Sequence, residues 1–307
     1  MGMDPHIRLR HLRTFIAVAR QGGVGRAAEA LNVSQPAVTR TLRELEMALG
    51  ADLVERDGRG VRLTARGQVF LRHAEIGLAA IRQGADAVAP GAVTSLPPLR
   101  VGALPTVSAR LMPGAVDRFR AIAEGQSLMI LTGDNRFLLD TLRRGDLDLV
   151  VGRLAAPEQM AGLSFEYLYS EQVRFAVRRG HPLLTAQPFE IAALAAYPVL
   201  LPPRGAIIRP FVERLFLAAG IAELPVAIET VSDSFGRSFL RQSDAVWVIS
   251  EGVVANDLEE GTLVALPVDT TDTRGAVGLT LRAGAGRSEG LERFGRALRE
   301  ATAELGL

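Results

Sequence analysis

Gln35, Thr39, Arg40 and Arg43 follow a Ser34-Gln35-Pro36 opening at spacings of four, one and three. On a helix this spacing gathers an amide, a hydroxyl and two guanidinium groups on one polar face. These groups can pair with base edges: an amide suits adenine, and a planar guanidinium fork suits the two acceptors of guanine in the major groove. Ser34 is expected to cap the helix by accepting from its free amides, and Pro36 falls in the first turn, where a missing amide costs nothing. The opposite face carries Val38, Leu42, Leu45 and Leu49 at four, three and four, a stripe that calls for burial.

Several elements are needed to position that face. Ala27, Ala28 and Leu31 predict a short helix whose small residues let another cross closely behind it, with Asn32-Val33 as a tight turn. Leu12, Phe15, Ile16 and Val18 predict an earlier helix that closes a three-helix core. From Leu53 to Thr64 the pattern alternates around Asp57-Gly58, a hairpin signal that would present Arg56, Arg59 and Arg62 to a phosphate backbone. An ordinary helical core with solvated arginines accounts for each feature singly. It does not account for a capped helix, a buried stripe, a polar tip and a basic hairpin within one run of about forty residues.

Charge is distributed accordingly. The net charge is only +1, but residues 1–66 hold eleven Arg against seven acids and the remainder twenty-four against twenty-seven, so the positive surface lies with this segment. All 35 basic residues are Arg; without Lys there is no Schiff base or P-loop lysine, and without Cys no thiol nucleophile, disulfide or thiolate metal site. His6, His11, His73 and His181 lack metal-binding spacing, so neither metal nor cofactor is expected. Gly23-Val24-Gly25-Arg26-Ala27-Ala28 imitates a dinucleotide fingerprint but follows a helix rather than a strand, and reads as loop. Gly284-Ala285-Gly286-Arg287 reads as a helix-capping loop ending at Ser288, and no G-x-S-x-G elbow occurs. An α/β hydrolase or transferase with an added helical domain would need a triad histidine that the sequence does not place.

The order Ala-Ala, Leu, Ser-Gln-Pro-Ala-Val, Leu-Glu, Leu-Gly and Leu-Thr over residues 9–67 resembles the DNA-binding domain of LysR-type transcriptional regulators. Val54 stands where that family usually has Phe and Thr39 where it usually has Ser; both substitutions keep the chemistry. The resemblance implies a winged helix-turn-helix over 1–67, with Ser34, Gln35, Pro36, Thr39, Arg40, Arg43, Arg56, Arg59 and Arg62 facing double-stranded DNA.

Beyond Thr64 a long helix repeats Leu71, Ala74, Leu78, Ile81, Ala85 and Val88 at three and four, a seam that predicts a partner helix; in the resembled family this linker pairs subunits. The linker and hinge cover 68–96, where Ala89-Pro90-Gly91 to Pro97-Pro98 breaks the helix. Strands are predicted at Leu99–Ala103, Leu128–Thr132, Leu147–Val151, Val173–Val177, Val226–Val231, Ala245–Ile249 and Val277–Leu281, with helices between many of them, which argues for α/β architecture. The resemblance continues more faintly in Leu99-Arg100-Val101-Gly102, Arg144-Gly145-Asp146-Leu147-Asp148 and Arg179-Gly180-His181-Pro182-Leu183. It implies a two-lobed, periplasmic-binding-protein-like effector domain over 97–307, with lobe I at 97–170 and 270–307 and lobe II at 171–269. The fold class is thus multidomain α plus α/β.

Ligands of α/β sheets sit beyond strand C-termini, where helices begin. That rule selects Pro105, Thr106, Val107, Ser108, Asn135, Arg153, Arg204, Ile207, Ile208, Ser232 and Ser234; within this set the resemblance singles out Thr106, Ser108 and the 204–208 loop. The arginines suggest an anionic effector such as a carboxylic acid. Leu131-Thr132-Gly133 and Val150-Val151-Gly152-Arg153-Leu154 are similar to the branch regulating aromatic-acid catabolism or sugar-binding proteins. The expectation is a cytoplasmic bacterial regulator with no membrane segment, a homodimer through the linker helix assembling to a homotetramer, with RNA polymerase as a further partner. The alternative is a solute-binding protein whose N-terminal helices serve only assembly.

Overall fold

The computed structural model describes residues 7–58, 60–87, 96–186, 188–221, 224 and 227–307. The chain divides into two compact units, one N-terminal through the long helix and joined by Arg143–Asp146, the other holding the two larger sheets.

The N-terminal unit contains α1 (Leu9–Gln21), α2 (Val24–Leu31), α3 (Gln35–Leu49), β1 (Val54–Asp57), β2 (Gly60–Leu63) and α4 (Ala65–Ala87). Phe15, Val18, Ala27, Ala28, Val38, Leu42, Leu45 and Leu53 form its core, so the apolar stripe of α3 is buried as its spacing requires. The turn between α2 and α3 pivots on Asn32 in the left-handed region, φ 53°, and Val33 donates its amide to the Ala28 carbonyl at 3.0 Å. Gly25, read from sequence as loop, lies instead inside the first turn of α2, and Gly23 is its N-cap.

Glu46 fixes the entry to the hairpin: its Oε1 accepts the amides of Leu53 at 2.8 Å and Val54 at 3.2 Å. Thr64 closes the exit, donating its hydroxyl to the Asp52 carbonyl and accepting the Gly67 amide. Asp57 pairs with Gly60, so the first strand stays paired through Asp57 and the turn falls after it. Gly58 takes φ 55°, the left-handed geometry a tight two-residue turn requires. The Val61 amide donates to the Gly22 carbonyl at 3.1 Å, docking the hairpin on the α1–α2 turn.

The long helix corrects one expectation. Ala74 and Leu78 pack with Ile16, flanked by Leu12, Phe70 and Leu71, and Phe70 meets Phe15 at 5.5 Å between centroids. Arg20 and Glu75 add an ion pair at 2.7 Å. The first half of the seam is therefore satisfied by α1 of the same chain, because α1 leaves an apolar flank uncovered by α2 and α3. Ile81 and Ala85 remain exposed, while Val88 and the Ala89–Gly91 break lie outside the described residues.

The C-terminal unit runs β3 (Leu99–Ala103), α5 (Pro105–Ser108), α6 (Met112–Ile122), β4 (Leu128–Thr132), α7 (Asn135–Arg143), β5 (Leu149–Arg153), β6 (Leu163–Glu171), β7 (Val173–Arg178) and β8 (Val199–Leu201). It continues through α8 (Arg209–Ala218), β9 (Ala227–Glu229), α9 (Asp233–Gln242), β10 (Val246–Ser250), α10 (Glu251–Glu259), β11 (Leu263–Ala265), β12 (Gly275–Arg282) and α11 (Glu289–Glu304). One sheet has the order β4-β3-β5-β12-β6 and the other β11-β7-β10-β8-β9. β3 is parallel to β4 and β5, and β8 to β9 and β10, whereas β12 and β7 run antiparallel to their neighbours. These mixed sheets have separate cores, one with Phe119 and Phe294 edge-on at 5.4 Å, the other around Trp247 and Phe175. β6, β8 and β11 escaped the sequence reading, and Val226 lies outside the described residues.

The chain passes between the sheets twice. β6 of the first sheet extends to Glu171, paired with Gly275. The two passages are joined: the Val173 amide donates to Thr273 Oγ1 at 2.9 Å within the interior.

Candidate functional site

On α3, Gln35, Pro36, Thr39, Arg40, Arg43, Glu44 and Met47 line one open surface. Ser34 occupies the N-cap position with extended backbone, yet its hydroxyl accepts no helix amide; only its carbonyl receives Ala37 and Val38, at 3.0 and 3.2 Å. The expected side-chain cap is thus absent, and the hydroxyl faces outward at the tip. The Thr39 hydroxyl donates back to the Gln35 carbonyl at 3.1 Å and so presents lone pairs rather than a proton. Arg40 donates through Nε to Glu44 at 3.0 Å. Among the described residues Arg43 and Arg56 make no ion pair, whereas Arg62 pairs with Glu55, its cross-strand neighbour, at 2.7 Å. Arg59 lies outside the described residues.

Glu44, which sequence reading passed over, links this surface to α1. Its second oxygen receives Arg10 Nη2 at 3.1 Å and lies 3.3 Å from His11 Nε2. The hydrogen bond from Arg40, with His11 and the charge of Arg10 behind it, holds its carboxyl below the usual range against an opposing desolvation.

The second candidate site is a partly open cleft between the two sheets of the C-terminal unit, with a cavity volume of about 100 Å³. Pro105 and Thr106 line it from α5, Asn135 from the start of α7, Arg153 from the end of β5, and Ile207 and Ile208 from the loop before α8. Arg209 secures that loop, donating to the Pro202 carbonyl at 2.7 Å and to Glu229 at 2.9 Å.

Five of the sequence-selected residues fall outside the cleft lining. Val107 is fully buried in the core beneath α5, because it points to the opposite side of that short helix. Ser108 returns its hydroxyl to the Leu104 carbonyl at 3.0 Å. Arg204 is exposed on the loop's outer side. Ser232 caps α9 through the Phe235 amide, and Ser234 hydrogen-bonds Ser232 at 3.2 Å; both face solvent. Conversely, Leu104, Gly133, Asp134, Pro202 and Pro203, together with Thr230, Val231, Asp233, Ile249, Ser250 and Val253, line the cleft without having been selected.

Arg153 is the cleft's principal charge and is only 4% exposed. Nη2 donates to the Thr273 carbonyl at the second passage, and the guanidinium lies over Phe211 at 5.3 Å from the ring centroid. Nη1 is buried without a hydrogen-bond partner. Burial lowers the guanidinium's pKa, partly offset by Glu171.

Glu171 lies behind Thr106, whose Oγ1 is 2.5 and 2.6 Å from its two oxygens; the Gly252 amide donates to it at 3.2 Å. Burial pushes this carboxyl upward, against the hydrogen bond from Thr106 and the charge of Arg153. Asp233 is likewise raised by burial, opposed by Arg237. A Cβ on Gly252 would overlap the Thr106 carbonyl, so glycine allows α10 and α5 to meet there.

Among the described residues no His, Asp and Glu cluster could hold a metal, and no helix is long and apolar enough to cross a membrane.

Residues 9–68 match the family description "Bacterial regulatory helix-turn-helix protein, lysR family", and residues 96–303 match "LysR substrate binding domain". The chain is 57% identical over 303 residues to the HTH-type transcriptional regulator PcaQ of Agrobacterium fabrum, covering 99% of this chain and 97% of that protein. It is 38% identical over 294 residues to the uncharacterized HTH-type regulator YdcI of Escherichia coli, covering 96% and 95%. A full-length OxyR variant from Pseudomonas aeruginosa has a TM-score of 0.56 at 26% identity, covering 96% of this chain and 100% of that one. The match over 9–68 removes the alternative in which the N-terminal helices serve only assembly. The chain belongs to the LysR family: it is a DNA-binding transcriptional regulator controlled by a small-molecule effector, and not an enzyme.

Proposed function

We propose that this regulator reads operator DNA with the exposed face of α3 and responds to a small carboxylic acid in the cleft, anchored by Arg153. The observation that carries the effector class is Arg153 Nη1, buried without a partner at the wall of a largely apolar cleft. A buried donor on a charged group without an acceptor is costly, and a ligand carboxylate would supply one. The upward shifts of Glu171 and Asp233 act in the same sense, because carboxyls that ionise less readily repel an anion less. The apolar walls from Leu104, Pro202, Pro203, Ile207 and Val231 suit the hydrocarbon body of such an acid.

On the DNA side, Gln35, Thr39 and Arg40 are assigned to base edges, since they share one open surface of α3. Ser34, Pro36 and Arg43 flank them, and Arg56, Arg59 and Arg62 are assigned to the wing and its phosphate contacts. The exposed Ile81 and Ala85 on the second half of α4 are the surface for pairing of subunits, and a dimer of dimers is the assembly proposed at the promoter. RNA polymerase contact and a cytoplasmic setting belong to the same reading.

Isothermal titration of the full-length protein with benzoate and succinate, as aromatic and aliphatic acid probes, tests the effector class. Saturable binding of either, lost in Arg153→Met, supports it. Binding by neutral or cationic compounds only, or acid binding untouched by Arg153→Met, would overturn it.

A further inference from the structure

Arg40 and Arg43 share the reading face but are held differently. Arg43 makes no ion pair among the described residues, whereas Arg40 Nε is held by Glu44 Oε1 at 3.0 Å. Glu44 is itself anchored: Arg10 Nη2 sits at 3.1 Å from Oε2 and His11 Nε2 at 3.3 Å. His11 is 3% exposed and accepts the Arg8 amide on Nδ1 at 3.1 Å, so its Nε2–H is the ring's donor to Glu44. A chain of contacts thus runs from a buried ring in α1 through one carboxylate to a guanidinium whose side chain is 83% exposed. Among the described residues no other hydrogen bond or ion pair steadies this exposed side chain.

The atom held matters. Guanidinium can offer a base either its Nε–Nη edge or its Nη1–Nη2 end. With Nε engaged by Glu44, the end-on pair remains available, and it matches the O6 and N7 acceptors of guanine. Resting on the reading that Arg40 contacts a base, we propose that Glu44 is a positioning residue for DNA recognition: it orients Arg40 to present its Nη1–Nη2 end to one guanine, while its own charge discourages binding to unrelated phosphate backbone. Immobilising a long flexible side chain on binding costs enough that prior orientation is worth about 2- to 10-fold at the contacted base pair.

The test uses full-length protein. A site is selected from random double-stranded DNA with the wild type, and affinities are measured at fixed salt on that site, on versions with each G·C pair changed to A·T, and on unrelated duplex. Arg40→Ala should lose about 5- to 150-fold discrimination at one G·C pair. Glu44→Gln should lose about 2- to 10-fold at that same pair, gain affinity for unrelated duplex, and change nothing further at that pair in the Arg40→Ala background. Glu44→Asp keeps the charge but shortens the reach; it should lose discrimination without the gain on unrelated DNA.

Glu44→Gln weakening every site by one factor would mark a mere brace between α1 and α3 and overturn the proposal, as would the same loss persisting without Arg40. Full discrimination in Glu44→Asp would assign the effect to charge rather than orientation and also overturn it. If Arg40→Ala relaxes a position and Glu44→Gln does not, the positioning role alone falls. If Arg40→Ala relaxes none, base reading by Arg40 falls and takes the proposal with it.

Discussion

Truncating Glu46 to alanine removes the acceptor that ties the start of the wing to α3. Two amides, those of Leu53 and Val54, lose a charged partner at 2.8 and 3.2 Å. Hydrogen bonds to a charged group contribute about 1.5–3 kcal/mol each. The longer one falls at the low end, and water reaches the half-buried Val54, so the total cost is about 2–4 kcal/mol. Glu46→Gln keeps a neutral acceptor and should cost about half as much. Against a domain stability of about 5–15 kcal/mol this is a large loss. For a domain of this size each kcal/mol lowers the melting midpoint by about 4–8 °C. The assay can separate the two units, because the single tryptophan, Trp247, lies in the core around β10. Its fluorescence follows the C-terminal unit, while far-UV circular dichroism also sees the helical N-terminal one. Glu46→Ala should lower the circular-dichroism transition of the N-terminal unit and leave the Trp247 transition in place. It should also weaken operator binding through a misplaced wing. A shift below about 0.5 kcal/mol, the level of an ordinary surface change, or an equal shift in Trp247 fluorescence, would refute the reasoning.

Three further outcomes follow from other parts of the chain. A carboxylic acid that raises the melting temperature of the wild type should bind Arg153→Met about 10- to 100-fold more weakly, the equivalent of one charge-assisted hydrogen bond, with effector-free operator binding retained; equal protection by the acid contradicts this. Because burial raises Glu171, the native state holds its proton more firmly than the unfolded chain, so this carboxyl's contribution to stability is greatest at or below the ordinary carboxylate range and declines as pH rises through the window up to its folded value. Urea midpoints followed upward from about pH 4.5 should therefore fall less steeply in Glu171→Gln, and an identical slope would be inconsistent with a raised carboxyl. Arg56→Ala should weaken binding uniformly across DNA sequences and reduce the salt slope by about 0.9; a loss confined to one sequence would make Arg56 a base reader instead.

The N-terminal unit was legible because its signals are local. The Val38, Leu42, Leu45 and Leu49 stripe and the Asn32 turn are written within a few residues, and the structure uses both. Where sequence reading failed there, a distant partner decided: Leu71, Ala74 and Leu78 suggested another subunit, but Ile16 and Leu12 of α1 were available first. Ser34 has a capping residue's identity and backbone, and hydroxyl rotation is not encoded in either. In the C-terminal unit the short β8 and β11 carry too few residues for a period to show, and β6 mixes aromatic and polar residues without marking a buried face. The rule that ligands lie past strand ends found Thr106, Asn135 and Arg153. It could not tell Thr106 from Val107, which differ only in the side of a four-residue helix each occupies. Glu171 had no local signal; its importance arises because Thr106, Arg153 and Gly252 converge on it from three separate elements.

The most direct test is quantitative footprinting of the DNA upstream of the regulator's own gene, with wild type and Arg153→Met, across a panel of carboxylic acids. The account predicts protection of paired half-sites spaced by helical turns at low salt. It further predicts that at least one acid changes the pattern for wild type and not for Arg153→Met. No protection at any salt concentration, or an acid response that survives the loss of Arg153, would contradict it.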